Sequence, residues 1–128
     1  MFDIDLQSRI PIYEQLYKKV IEMTVKKQLT PSEKLPSVRE LAKELGVNPN
    51  TVSKAFQMLE RDGIIYSVPG RGSFISDKND SIIAKNAAEG FRAAVREALN
   101  GGLDREGMIS VIDSIISEKG ALSDDKAK

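Results

Sequence analysis

The sequence predicts a mainly α-helical chain with one small β-hairpin: a head of three helices and the hairpin, followed by a tail of two helices. Three observations carry this. Apolar residues recur at three- and four-residue spacing in separate stretches, the signature of helices with one buried face. The period changes once, between Ile64 and Ser76, to runs of β-branched and aromatic residues split by Pro69-Gly70-Arg71-Gly72. Residues that start or stop helices bound each periodic stretch.

Gln7 to Pro11 reads as a short extended lead-in, because the residue before a proline avoids the helical region. Pro11 suits the first helical position, and Ile12, Leu16, Val20 and Met23 give an amphipathic helix over about Pro11 to Lys27. Thr30-Pro31-Ser32 breaks it, and Leu35-Pro36 is a second extended dipeptide. Ser37 caps the next helix, with Glu40 completing a capping box, and Leu41, Ala42 and Leu45 form its apolar face. Gly46 stops that helix. Asn48 is the next cap, Pro49 takes the first helical position, and Val52, Ala55, Phe56 and Leu59 make a buried stripe ending near Arg61.

Ile64 to Val68 and Ser73 to Ser76 are the two predicted strands. Asp77 to Ser81 reads as a polar hinge, which sets candidate domains at residues 1–77 and 78–128. Beyond it, Ala84, Ala87, Ala88, Phe91, Ala94, Val95, Ala98 and Leu99 mark a helix stopped by Asn100-Gly101-Gly102. Asp104 caps a last helix carrying Met108, Ile109, Ile112, Ile115 and Ile116, closed by Lys119-Gly120, and Ala121 to Lys128 is expected to fray.

Composition removes many functions. With 128 residues, no His and no Cys, the chain has no imidazole acid/base, no thiol nucleophile, no Cys/His zinc site and no disulfide. No constellation for catalysis is present and no cofactor is called for; Asp104, Glu106 and Asp113 read as solvated acids. The N-terminus lacks the basic and apolar runs of a signal peptide, and no apolar run approaches the roughly 20 residues that span a bilayer, so a cytoplasmic, non-membrane protein is expected. Lys+Arg 19 balance Asp+Glu 19, and the balance holds in both parts: 12 basic against 11 acidic residues up to Asp80, 7 against 8 beyond. Any polyanion-binding surface is therefore a local patch.

The central block supplies such a patch. A small residue at the helix crossing (Ala42), a glycine at the turn (Gly46) and an apolar docking residue (Val52) have the offsets of a helix-turn-helix, and the hairpin after it adds a wing. On the second helix Pro49, Asn50, Ser53, Lys54 and Gln57 point outward, short and polar or basic, suited to base edges and phosphates. Arg39 is placed to clamp the backbone, and Arg71 at the wing tip to reach an adjacent groove.

Leu35-Pro36-Ser37-Val38-Arg39-Glu40-Leu41-Ala42, Gly46-Val47-Asn48-Pro49-Asn50-Thr51-Val52, Leu59-Glu60-Arg61-Asp62-Gly63 and Gly70-Arg71-Gly72-Ser73-Phe74-Ile75 resemble the GntR family of bacterial transcription regulators, and Pro11 to Leu16 is similar to that family's first helix. The resemblance spans about Gln7 to Ser76 and implies a winged helix-turn-helix domain, a homodimer and a pseudo-palindromic double-stranded DNA operator. It puts Arg39, Asn50, Thr51, Ser53 and Gly70 at DNA-contact positions. The full candidate set is Ser37, Arg39, Asn48, Pro49, Asn50, Thr51, Ser53, Lys54, Gln57, Gly70, Arg71 and Gly72.

Two departures stand out. Lys27 and Ser32 occupy positions where many members have glycines bracketing the loop after the first helix, a change expected to matter little. Pro49 stands where many carry a basic residue, which shifts weight to Arg39, Lys54 and Arg71.

The tail is similar to that of the short-tailed YtrA-type subfamily, whose members often sit beside transporter genes. Two helices cannot build a sizeable core alone. Phe91, Val95, Leu99, Ile109, Ile112 and Ile116 are therefore expected to meet the same faces of a second chain, making the tail a C-terminal dimerisation element. The reading is a dimeric repressor that occludes a promoter, its effector unknown, and a protein-interaction adaptor docking through the winged helix is the alternative. Beside each sharp reading stands a plain one: Arg39 paired with acids on its own helix, Lys54 solvated, Arg71 idle in a turn, and Tyr13, Tyr17 and Tyr66 as packing residues.

Overall fold

A computed structural model describes the backbone of residues 2–127 and the side chains of residues 2–120. The element order is α1 (Ile12–Val25), α2 (Val38–Leu45), α3 (Pro49–Arg61), β1 (Ile65–Val68), β2 (Gly72–Ile75), α4 (Asn79–Asn100) and α5 (Arg105–Ala127). The chain divides into two compact units, Met1–Lys85 and Asn86–Lys128.

In the first unit α3 packs against both α1 and α2. Leu16, Val20, Leu41, Val52, Ala55, Leu59, Ile64 and Ile75 are completely buried at its centre. Burying one such side chain contributes roughly 1.5–3 kcal/mol, so this cluster fixes how α3 is presented. Ile82 and Ile83, in the second turn of α4, pack on the same core.

The capping chemistry largely forms as the sequence predicts. Ser37 Oγ accepts from the Glu40 amide at 3.1 Å, although among the described residues the Glu40 side chain makes no return bond, so half of the capping box is present. Asn48 Oδ1 accepts from the Asn50 amide at 2.8 Å, and Asp104 Oδ1 from that of Gly107 at 2.8 Å. Gly46, left-handed at φ 71°, closes α2, and the Val47 amide returns to the Ala42 carbonyl at 3.0 Å.

Four local expectations are corrected. Gln7 to Pro11 is a turn followed by bends rather than an extended lead-in. Asp5 Oδ1 accepts from the Gln7 amide, Ser8 Oγ from that of Ile10, and the Gln15 side chain clamps the segment through the Asp5 amide and the Asp5 and Ile10 carbonyls. Such short polar side chains compete with extended backbone for its own amides. Pro11 caps α1 instead of opening it, and α1 stops at Val25. The polar stretch after the hairpin is already helical from Asn79, whose side chain is buried. Finally, α5 passes through Lys119-Gly120 to Ala127, an interior glycine costing about 1 kcal/mol without ending a helix. The side chains of the stretch expected to fray, Ala121 to Lys128, lie outside the described residues.

β1 and β2 pair antiparallel in the register Ile65↔Ile75, Tyr66↔Phe74, Ser67↔Ser73, Val68↔Gly72. Ile65 and Ile75 face the core, while Tyr66 and Phe74 stack on the other side with ring centroids 5.6 Å apart. The turn is closed by the Arg71 amide on the Val68 carbonyl at 2.9 Å, with Pro69 and Gly70 at its centre. The segment before α2 joins this sheet: Lys34 bridges Phe74, and the Leu35 amide donates to the Ser73 carbonyl at 2.9 Å.

Candidate nucleic-acid interface

The face that α3 offers follows from its sequence by geometry. Val52, Ala55, Phe56 and Leu59 are buried, at spacings of three, one and three. Asn50, Ser53, Lys54 and Gln57 repeat that spacing two residues earlier, about 200° around a helix, and so fall on the opposite side. Asn50, Lys54 and Gln57 are exposed and Ser53 is half-buried. Pro49, exposed at the first position, and Thr51, half-buried, complete the first turn.

Asn48 and Ser37 have dual capacity. Each spends an acceptor oxygen on its helix cap, which leaves the Asn48 amide hydrogens and the Ser37 hydroxyl hydrogen as donors toward an incoming anion. Arg39 and Arg71 are exposed, and among the described residues neither forms an ion pair. Arg39 therefore does not pair along its own helix. Ser37, Gly70, Arg71 and Gly72 converge on one groove between the wing and the start of α2, which Glu40 and Glu60 also line.

Lys54 is exposed on the outward face, as the sequence suggested, and also makes a contact that the sequence did not signal. Its ammonium sits 3.9 Å from the centroid of the Tyr13 ring on α1, a cation–π contact worth about 0.5–1 kcal/mol at an exposed site. Tyr13 packs against the core, as the sequence suggested, and also gives Lys54 a rest. Sequence reasoning also missed the link between α3 and the wing: Ser67 Oγ donates to Glu60 Oε2 at 3.2 Å and lies 3.4 Å from Ser73 Oγ across the strands. Its only sequence signal is the pairing of two serines in register.

Farther back, the Tyr17 phenol is pushed up to about 12, by burial first and then by its hydrogen bond to Asp62 and that residue's charge. Tyr17 joins α1 to the end of α3, a structural task. Among the described residues no cluster of three or more carboxylates could hold a metal ion, and no helix is long and apolar enough to cross a membrane.

The sequence pattern of the bacterial regulatory proteins of the gntR family matches residues 12–75, the three helices and the wing together. The chain belongs to the GntR family. It is 44% identical over 99 residues to the HTH-type transcriptional repressor YtrA of Bacillus subtilis (strain 168), covering 77% of this chain and 73% of that protein. Among solved structures, a transcriptional antiterminator from Listeria monocytogenes EGD-e matches with TM-score 0.71 and 38% identity, covering 90% of this chain and 89% of that one. YtrA from Sulfolobus acidocaldarius, a GntR-family transcription factor, matches with TM-score 0.65 and 38% identity over 77% of this chain and 97% of that one. The AraR DNA-binding domain in complex with operator ORE1 matches with TM-score 0.51 and 28% identity over 58% of this chain and 90% of that one. As a GntR-family member the chain is a winged-helix transcriptional regulator and not an enzyme, as the sequence indicated.

Proposed function

We propose that this GntR regulator is a dimeric cytoplasmic repressor that occludes a promoter by binding a pseudo-palindromic operator, with transporter genes as candidate targets. The observation that carries the reading is the polar stripe of α3, set opposite its buried stripe and beside a wing whose Arg71 forms no ion pair among the described residues. Residues 1–77 form the DNA-binding domain and residues 78–128 the dimerisation tail, where an effector would also act. Asn50, Ser53, Lys54 and Gln57 read bases. Ser37, Arg39, Asn48, Pro49, Thr51, Gly70, Arg71 and Gly72 hold the backbone and fix the wing. The operator-bound AraR domain and the repressor YtrA, both similar to this chain, support DNA as the ligand and repression as the outcome.

Exposed apolar faces on the tail helices support dimerisation. On α4 and α5, Phe91 and Leu99 are each 55% exposed, Ile109 39% and Ile116 64%, with Val95 and Ile112 half-buried. Phe91, Ala94, Val95, Ala98, Ile109 and Ile112 line one groove of about 410 Å³ with almost no polar atoms. A monomer rarely leaves so continuous an apolar surface in water, and a twofold axis would cover it with itself. Such a dimer would set two recognition helices about 34 Å, one DNA turn, or a multiple apart.

The test is a salt-titrated gel shift on the gene's own upstream region, with a scrambled duplex of equal composition beside it. Specific binding that weakens steeply with salt is the expected result. Equal, weak binding to both duplexes would overturn the sequence-specific reading, and no binding at low salt would favour the adaptor.

A further inference from the structure

We propose that Lys34, outside the recognition helix and the wing hairpin, is a further phosphate contact of this regulator. The inference rests on the DNA-binding reading above and adds a residue to it. Lys34 lies in the segment before α2, where it forms an isolated antiparallel bridge to Phe74 of β2. On one side of it the Ile75 amide donates to the Glu33 carbonyl at 2.9 Å, and on the other the Leu35 amide donates to the Ser73 carbonyl at 2.9 Å. With its backbone pinned at both ends, the side chain runs along the wing toward Gly72. A Cβ at position 72 would stand 3.1 Å from Lys34 Cε and 3.9 Å from Nζ, so the absence of a side chain there makes room for the lysine stem. Gly72 is in this sense the seat of Lys34.

The ammonium is exposed, and among the described residues it forms no ion pair. It lies in the groove shared by Ser37 and Arg71, where the Ser37 hydroxyl is a donor. Two carboxylates, Glu40 and Glu60, line that groove. With Arg71 alone they would leave it net negative beside a polyanion; Lys34 restores the balance and adds a second cation on the wing. A lysine held by backbone pairing rather than by a partner charge costs little to turn onto a phosphate. Such a contact is blind to sequence, so its mark is a loss of affinity on every duplex together with a shallower salt dependence.

The experiment compares wild type, Lys34→Gln, Lys34→Arg and Lys119→Gln, a charge control on α5, on the upstream duplex and the scrambled duplex across a salt series. Melting temperatures are recorded beside the binding curves. Lys34→Gln is expected to lose roughly threefold to tenfold in affinity on both duplexes and to flatten the log–log salt slope by about 0.9. Lys34→Arg and Lys119→Gln should stay at wild type, and none of the three should shift melting. Wild-type affinity and slope in Lys34→Gln would overturn the contact, leaving a solvated lysine. Equal losses in Lys34→Gln and Lys119→Gln, or a loss that follows a lowered melting temperature, would overturn it too, as general charge or as structure. Failure of the wild type itself to bind either duplex would be distinct from these and would remove the DNA reading along with the contact.

Discussion

The Tyr17 hydroxyl donates a 2.5 Å hydrogen bond to Oδ2 of Asp62, tying the middle of α1 to the residue that caps the end of α3. Arg61 Nε holds the other carboxylate oxygen at 3.3 Å, so the end of the recognition helix is fixed from two sides. Tyr17→Phe should therefore destabilise the fold by about 1–2 kcal/mol, measured by urea unfolding. The phenol's value is raised from 10.0 to about 12, so its contribution is fully present below pH 10 and is lost as pH climbs toward 12. Stability of the wild type should fall across that window, and Tyr17→Phe should flatten the fall. An unchanged alkaline limb in the variant would sink the assignment.

Lys27 and Ser32 stand in the left-handed region, at φ 64° and 68°. The expectation that replacing glycine there matters little is thereby corrected, since a side chain in that conformation costs roughly 1–2 kcal/mol. Ser32→Gly should raise stability by about 0.5–1 kcal/mol after the added freedom of the unfolded chain is counted. Lys27→Gly should gain less, because Lys27 Nζ also pairs with Asp80 Oδ2 at 3.1 Å. That pair is well exposed and contributes little. A calorimetric scan in which Ser32→Gly melts lower than wild type would contradict the strain.

These two positions mark where sequence reasoning ran out. The stripes of α1, α2 and α3 were legible because burial imposes a helical period, and the caps Ser37, Asn48 and Asp104 because few side chains can satisfy a free helix end. Lys27 and Ser32 carry no such signal, since their φ values are imposed by the loop they close. The bridge of Lys34 to Phe74 was hidden for a related reason. Its pairing with β2 is made by backbone amides, and Pro31 and Pro36 made the segment look like a mere break. Among the candidate DNA contacts, the outward position of Asn50 and Gln57 was readable from helical period alone. The rest of Lys54 on Tyr13 needed the packing of α1 against α3, which no local pattern encodes.

The tail makes a sharp prediction about assembly. Ile109 lines the apolar groove together with Phe91 and Val95, and it is 39% exposed. Ile109→Asp would put a charge into the proposed twofold interface, where it would be desolvated without a partner. Sedimentation at micromolar concentration should find a dimer for wild type and a monomer for the variant, with head stability little changed. A variant that still sediments as a dimer would exclude this face. The monomer should also bind a two-half-site operator far more weakly than the dimer, having lost the gain from tethering two heads.

Arg39 and Asn50 should fail in different ways when truncated. Arg39 is exposed and unpaired among the described residues, and its proposed target is the phosphate backbone, which is the same for every sequence. Arg39→Ala should weaken operator and scrambled duplex alike and flatten the salt slope by about 0.9. Among the described residues the Asn50 side-chain amide makes no hydrogen bond, and the Asn48 cap engages only its backbone N–H. Asn50→Ala should cost about 1–3 kcal/mol on the operator, leave the scrambled duplex almost untouched and preserve the slope. Should Asn50→Ala lower both duplexes equally, Asn50 touches phosphate and base reading passes to Ser53 and Gln57. Should Arg39→Ala spare the scrambled duplex, Arg39 reads a base.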